Sequence, residues 1–278
     1  YTIRVYRMGE DYNSAAIGTL KYVPAGAFQR DGTAANISFV SAFRMSSNEI
    51  TRGQYSNVMG ADPANTTYST GTSDPVQMVN WYHAIAFCNK LSLIEGLTPV
   101  YTVSGVNFNT LTHGGVPTTG DAIWNAATAN WAANGYRLPT EMEWMWAAMG
   151  ANMGADPFMV NTTGYTKVFA GSTGSNAIGD YAWYTSNSGS KSHPVGIKLP
   201  NKLGLADMSG NVWEWCWDLQ AAYPVGYQAD YRGAVSGVFR VPRGGSWGSV
   251  ASDCTIAYRS FNGPEGRSRY FGFRVVRP

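Results

Sequence analysis

The chain has 278 residues, 44% of them hydrophobic and only 14% charged, with a formal net charge of +2. This balance excludes a disordered chain and any global field that would draw it to nucleic acid or an anionic membrane. Three cysteines, Cys88, Cys216 and Cys254, are too few for a disulfide framework, and no stretch approaches the ~20 apolar residues of a membrane-spanning helix.

In chain order, Gly18–Val23 and Ile37–Met45 are rich in β-branched and aromatic residues and read as strands. Thr51-Arg52-Gly53-Gln54-Tyr55 starts a short helix that stops at Gly60. Asn80 caps a longer one, WYHAIAFCNKLSLIEG, with Ala84, Phe87, Cys88, Leu91 and Ile94 on one stripe and Gly96 at its end. Thr140-Glu141-Met142-Glu143 is a capping box: the Thr oxygen takes the N3 amide while Glu143 reaches back. That third helix stops at Gly150. Asn107–Asp121 and Gly150–Gly179 are long loops, a sign of function or of a fold with little regular structure. Val238–Arg243, Thr255–Tyr258 and Phe273–Val276 complete the strands. GGSW (Gly244–Trp247) and GFRVV (Gly272–Val276) also read as strands, bracketing an irregular tail of Ser, Gly, Asn, Asp, aromatics and Arg. Such a composition suits adaptable binding surfaces. There is no repeat and no low-complexity linker, so one domain over 1–278 is expected. The chain opens on Tyr1, which suggests a mature or trimmed form with any targeting signal upstream.

Four blocks, DPVQMVNWYHAIAFCNKLS (Asp74–Ser92), GYRLPTEMEWMWAAMG (Gly135–Gly150), GLADMSGNVWEWCWD (Gly204–Asp218) and RGGSW…GFRVV (Arg243–Val276), together resemble the formylglycine-generating-enzyme and sulfatase-modifying-factor family. The resemblance implies an α+β protein with a variant C-type lectin fold: a small twisted antiparallel sheet, two main helices and many ordered loops. It does not imply one function, because the family holds copper oxidases, iron-dependent oxygenases and binders.

The enzyme readings fit poorly. The copper oxidases use two cysteines spaced five apart after the RGGS block. The matching positions here are Ser249 and Cys254, and a hydroxyl does not replace a thiolate on Cu(I). The iron enzymes need a histidine triad. His83, His113 and His193 sit in different blocks, with no carboxylate at ligand spacing, and His83 and His193 read as structural. Neither copper nor iron is expected, and no other catalytic set emerges. The resemblance does imply a calcium loop with the Asp207 side chain, the Gly210 and Val212 carbonyls and the Glu214 side chain as ligands. Either a Ca2+ ion fills it, or Glu214 takes backbone amides in a tight Gly-Asn turn without metal; both stay open.

One branch of the family fits better. The tail resembles the variable proteins of diversity-generating retroelements, which keep GGSW, an A-x-x-C block, an R-x-x-x-x-P spacing and GFRVV around randomised asparagine codons. Here the frame is GGSW, Ala251 to Cys254, Arg259 to Pro264, and GFRVV. The intervening candidates for ligand contact are Ser249, Val250, Asp253, Tyr258, Ser260, Phe261, Asn262, Gly263, Gly266, Ser268, Arg269, Tyr270 and Phe271. Randomising both adenines of AAC gives NNC codons, which cannot encode Lys, Gln, Glu, Met or Trp, and none of these positions holds one. Glu265 departs from that pattern and is left out. Trp247, Cys254, Ile256, Phe273 and Val275 would be the buried frame. The expectation is a non-enzymatic, monomeric protein that binds a protein or other macromolecule through a diversified region, 247–271. The branch further implies secretion or display at a bacterial cell surface, with the signal or lipid anchor outside this chain. The runner-up is an oxygen-dependent modifying enzyme.

Overall fold

A computed structural model describes residues 9–152 and 159–278; the long loop expected over 150–179 lies partly outside them. The strands are β1 (Tyr12–Ser14), β2 (Gly18–Val23), β3 (Gly26–Gln29), β4 (Ile37–Val40), β5 (Phe43–Ser46), β6 (Tyr101–Thr102), β7 (Thr128–Ala129), β8 (Trp213–Leu219), β9 (Gln228–Ala229), β10 (Arg240–Arg243), β11 (Phe271–Gly272) and β12 (Val276–Arg277). The helices are α1 (Arg52–Met59), α2 (Trp81–Ile94), α3 (Ala122–Asn125) and α4 (Glu141–Met149).

The three expected helices form where their caps place them. Thr51 and Gln54 close a capping box on α1, Asn80 Oδ1 accepts from the His83 amide, and Thr140 and Glu143 close a second box on α4. Gly60 and Gly150 end α1 and α4 in the left-handed conformation (φ 79° and 82°) that glycine adopts without a Cβ clash. The apolar stripe expected on α2 is corrected. Trp81 to Asn89 are buried all round, whereas Ile94, at the end of the helix, is 59% exposed.

Two small sheets carry the tail. The order β1-β2-β5-β12 joins the chain's last strand to its first ones, with Val276 opposite Met45. In β10-β8-β11, β8 runs antiparallel to β10 and parallel to β11. A third sheet is β3-β4-β9. Two apolar clusters fill the space between elements. One gathers Trp81, Phe87, Leu91, Trp215, Phe273 and Val275 around α2; the other gathers Trp144, Met145, Trp146, Val241, Ile256 and Val276 around α4.

Several strand expectations change. Ile37–Met45 is two strands, broken at Ser41, where Asp230 accepts from both the amide and the hydroxyl. Val238–Arg243 is a strand only from Arg240. Thr255–Tyr258 is not a strand; a 3-10 turn, Ala251–Cys254, precedes it. GGSW is not one either: Gly244 and Gly245 have φ of 95° and 81° and turn the chain away from β10. A Cβ on Gly245 would lie 2.7 Å from the Cys254 sulfur, so the turn needs glycine for space as well. GFRVV hands over between sheets. Gly272 pairs with β8, Val276 pairs with β5, and between them Ile50 and Ser46 donate to the Phe273 and Val275 carbonyls.

Candidate ligand-binding face

The tail is tied down along its whole length. Trp247 donates from its amide to Asn211 and from its indole to the Arg269 carbonyl. Arg240 and Asn262 exchange both backbone hydrogen bonds. The Trp81, Met78 and Trp213 amides donate to Pro264, Ser268 and Tyr270. Arg259 grips the buried carboxylate of Glu141 on α4 through Nε and Nη2, both at 2.7 Å. That charge-assisted, two-point contact fixes direction as well as distance.

Frame and surface separate by burial. Trp247, Cys254, Ile256, Phe273 and Val275 are all buried, while Val250, Tyr258 and Phe261 are exposed at 53%, 39% and 58%. Asp253, Ser260, Gly263, Gly266, Ser268, Arg269 and Tyr270 are partly exposed. Three expected contact residues are corrected or narrowed. Ser249 is buried; its hydroxyl accepts from the Ser246 amide at 3.0 Å, so it holds the turn instead of facing a ligand. Asn262 is partly exposed; its backbone pairs with Arg240 and its Oδ1 accepts from the Gly263 amide, which leaves its amide nitrogen for a ligand. Phe271 rests its ring against Trp215, centroids 5.1 Å apart, and belongs in part to the core.

At one end of this face Arg269 lies among three rings. Its guanidinium carbon is 4.3 Å from the Tyr68 centroid and 4.8 Å from that of Tyr270, and it donates to both phenol oxygens at 3.0 and 2.9 Å. Tyr68 stacks on Trp247 at 5.6 Å. Sequence reasoning missed Tyr68, which comes 201 residues before its partner in a short 3-10 turn; no local pattern marks it. At the other end Phe261 packs on Phe239 and Tyr258 on Trp213, at 5.2 and 5.8 Å.

The positions that would carry oxidase chemistry are differently equipped. Cys254 is buried, which pushes its thiol up to about 12, with Asp253 adding to the shift. A thiol so placed is neither nucleophile nor ready metal ligand at neutral pH. The separation expected of the histidines is corrected in part: His83 and His113 stack with centroids 4.4 Å apart. Asn80 accepts at His83 Nδ1, and Tyr55 pairs with His113 Nδ1 at 2.9 Å. Burial, with His113 and Arg267 nearby, pushes His83 down to about 3 and keeps it neutral. His193 lies elsewhere, stacked on Trp183 and bonded to the Ser188 carbonyl.

In the calcium-like loop, Asp207, Gly210 and Asn211 all have positive φ. The cation facing Glu214 is Arg274, whose Nε donates to Oε2 at 2.7 Å, alongside the Trp144 indole at 2.7 Å. Arg274 also donates to the Ser46 and Ala206 carbonyls, and Asp207 Oδ2 accepts from the Gly196 amide. Val212 directs its amide to Glu49. Asp207 Oδ1 and Glu214 Oε1 stay without hydrogen-bond partners, but the described residues contain no group of three acidic, histidine or cysteine side chains that could hold one ion. A Ca2+ ion takes six to eight oxygens; with Arg274 already in place, this donor set does not fit one.

The fold and the tail frame define a formylglycine-generating-enzyme-like protein with a C-type lectin-like architecture. Residues 10–278 match the sulfatase-modifying factor enzyme 1-like domain, and the chain belongs to that family. It is similar to Treponema denticola variable protein 1, at 37% identity and a TM-score of 0.84 over 97% of this chain and 99% of that one. The chaperone protein LppX of Paenibacillus barcinonensis is 31% identical over 95% of this chain and 91% of its own length. The formylglycine-generating enzyme of Streptomyces coelicolor is 36% identical over 55% of this chain and 50% of that enzyme.

Proposed function

We propose that this is a non-enzymatic binding protein that presents a diversified C-terminal face to a protein or other macromolecular ligand. The observation that carries the reading is the division of the tail. Trp247, Cys254, Ile256, Phe273 and Val275 bury, and Val250, Tyr258 and Phe261 stand out from the same segment. A surface built to vary must leave the core to other residues. Val250, Asp253, Tyr258, Ser260, Phe261, Gly263, Gly266, Ser268, Arg269 and Tyr270 are its contact positions. Backbone ties at both ends of the tail keep the ordering cost of binding low. Similarity to the Treponema variable protein supports a binding face that varies; we extend this to retroelement diversification, from the tail's motifs, and to display at a bacterial cell surface.

The oxidase reading has one observation in its favour, the 36% identity to the Streptomyces enzyme. Copper loading followed by an assay of cysteine-peptide oxidation separates the two. No turnover is expected; turnover abolished by Cys254→Ser would establish an enzyme. For diversification, a near-copy of the tail's coding bases with adenines at the contact codons, beside a reverse transcriptase gene, is expected in the neighbouring DNA. Its absence would remove that part of the proposal.

A further inference from the structure

We propose that the binding face continues beyond the tail into a groove formed with loop 233–239. This groove takes a protein segment that carries an aromatic or long aliphatic side chain beside a lysine or arginine. The inference rests on the binding reading above and names the chemistry of the partner.

Loop 233–239 presents Val235, Val238 and Phe239 to solvent at 103%, 73% and 39% exposure. Single exposed apolar residues are ordinary, but a contiguous set bordered by polar groups marks an interaction site. This set is contiguous with the tail, because Phe239 packs on Phe261, itself 58% exposed. The loop is anchored where it meets the tail. Gln220 donates to the Phe239 carbonyl at 2.9 Å, and the next residue, Arg240, pairs with Asn262. Between loop and tail lies a groove of about 470 Å3 walled by Leu219, Val238, Phe239, Gly263, Pro264 and Glu265. That volume admits a large side chain, and apolar walls with few polar groups are what a binding cleft offers.

The charge at the groove points to a cationic partner group. The Glu265 carboxylate makes no hydrogen bond or ion pair among the described residues. The other charged wall residue, Arg240, is buried; its guanidinium lies 3.7 Å from the Trp81 centroid and donates to the Trp217 carbonyl. It is therefore not offered to an incoming anion. A negative group at the rim and apolar walls inside select a hydrophobic side chain flanked by a positive one.

The test is selection of a random-peptide display library on the immobilised protein, followed by affinity measurement on variants. Enriched peptides are expected to share an aromatic or long aliphatic residue close to a lysine or arginine. Phe239→Ser should weaken them by about tenfold or more, as a truncated anchor does. Repeating the selection on Glu265→Lys should exchange the basic residue for an acidic one. Both positions lie at the surface, so both variants should keep the parent melting temperature within about 2 °C. Peptides weakened by Tyr270→Ala but indifferent to Phe239→Ser and Glu265→Lys would keep the tail reading and overturn the groove. Peptides without a basic residue would overturn the charge assignment. Dimerisation in sedimentation that Phe239→Ser abolishes would give the groove to a second copy of the chain and overturn the proposal. Failure to enrich any peptide would count against both readings.

Discussion

Replacing Asp207 by Asn should stabilise the protein, and the gain should depend on pH in a defined direction. Asp207 is 2% exposed, and its carboxyl is raised from 3.8 to about 6, mainly by burial, with Glu214 adding to the shift. A folded-state value about two units above the unfolded one corresponds to about 3 kcal/mol lost when the group ionises in the fold. The fold binds the extra proton, so wild-type stability falls as pH rises from about 4 to about 6 and is level above that. Asn keeps an oxygen for the Gly196 amide and tolerates the φ of 55° at this position. The shift is already net of the charge-assisted bond to Gly196, and Asn keeps a neutral bond there, so the gain at pH 7.5 should reach up to about 3 kcal/mol. For a chain of this size that is up to about 12 °C in melting temperature. Calorimetry or urea unfolding at pH 7.5 and pH 4 reads the effect, which should shrink towards zero at the lower pH. Destabilisation by Asp207→Asn, or an equal gain at both pH values, would refute the electrostatic reasoning. A melting temperature raised by calcium in the wild type but not in the variant would restore the ion that the donor set does not fit.

Other outcomes follow from the same contacts. Arg259→Ala should cost about 2–4 kcal/mol in urea unfolding, because it strips the two-point partner from a buried Glu141; the companion change Glu141→Gln should recover part of it. Ile256→Ala, at a fully buried frame position, should cost about 2–4 kcal/mol. Phe261→Ala, at a position 58% exposed and outside the buried frame, should change stability by less than about 0.5 kcal/mol. Cys254 should resist iodoacetamide at pH 7.5 in the folded protein and react once urea unfolds it, as mass spectrometry would show.

The helices were legible because their signals are local. Thr51, Asn80 and Thr140 act on amides within three residues, and Gly60 and Gly150 act at single positions. The tail's buried frame was legible because GGSW and GFRVV survive as motifs, although neither is the strand that its apolar residues suggest. In GGSW two positive φ values override strand propensity, and in GFRVV the segment changes sheets midway. The site was less legible wherever it depends on residues remote in sequence. Tyr68 reaches Arg269 only through the fold, and Phe239, expected within a strand, reaches Phe261 from a loop. Ser249 was misplaced because a small polar residue in an irregular segment looks the same whether it bonds its own turn or a ligand.

The central claim is that one set of tail residues builds the fold and another is free to vary. Placing NNC codons at Val250, Tyr258, Phe261, Arg269 and Tyr270, and displaying the library, tests it most directly. The account predicts that most clones stay folded, judged by protease resistance, and that clones selected on different target proteins differ at these positions. Loss of folding in most clones, or selection that leaves these positions untouched, would contradict it.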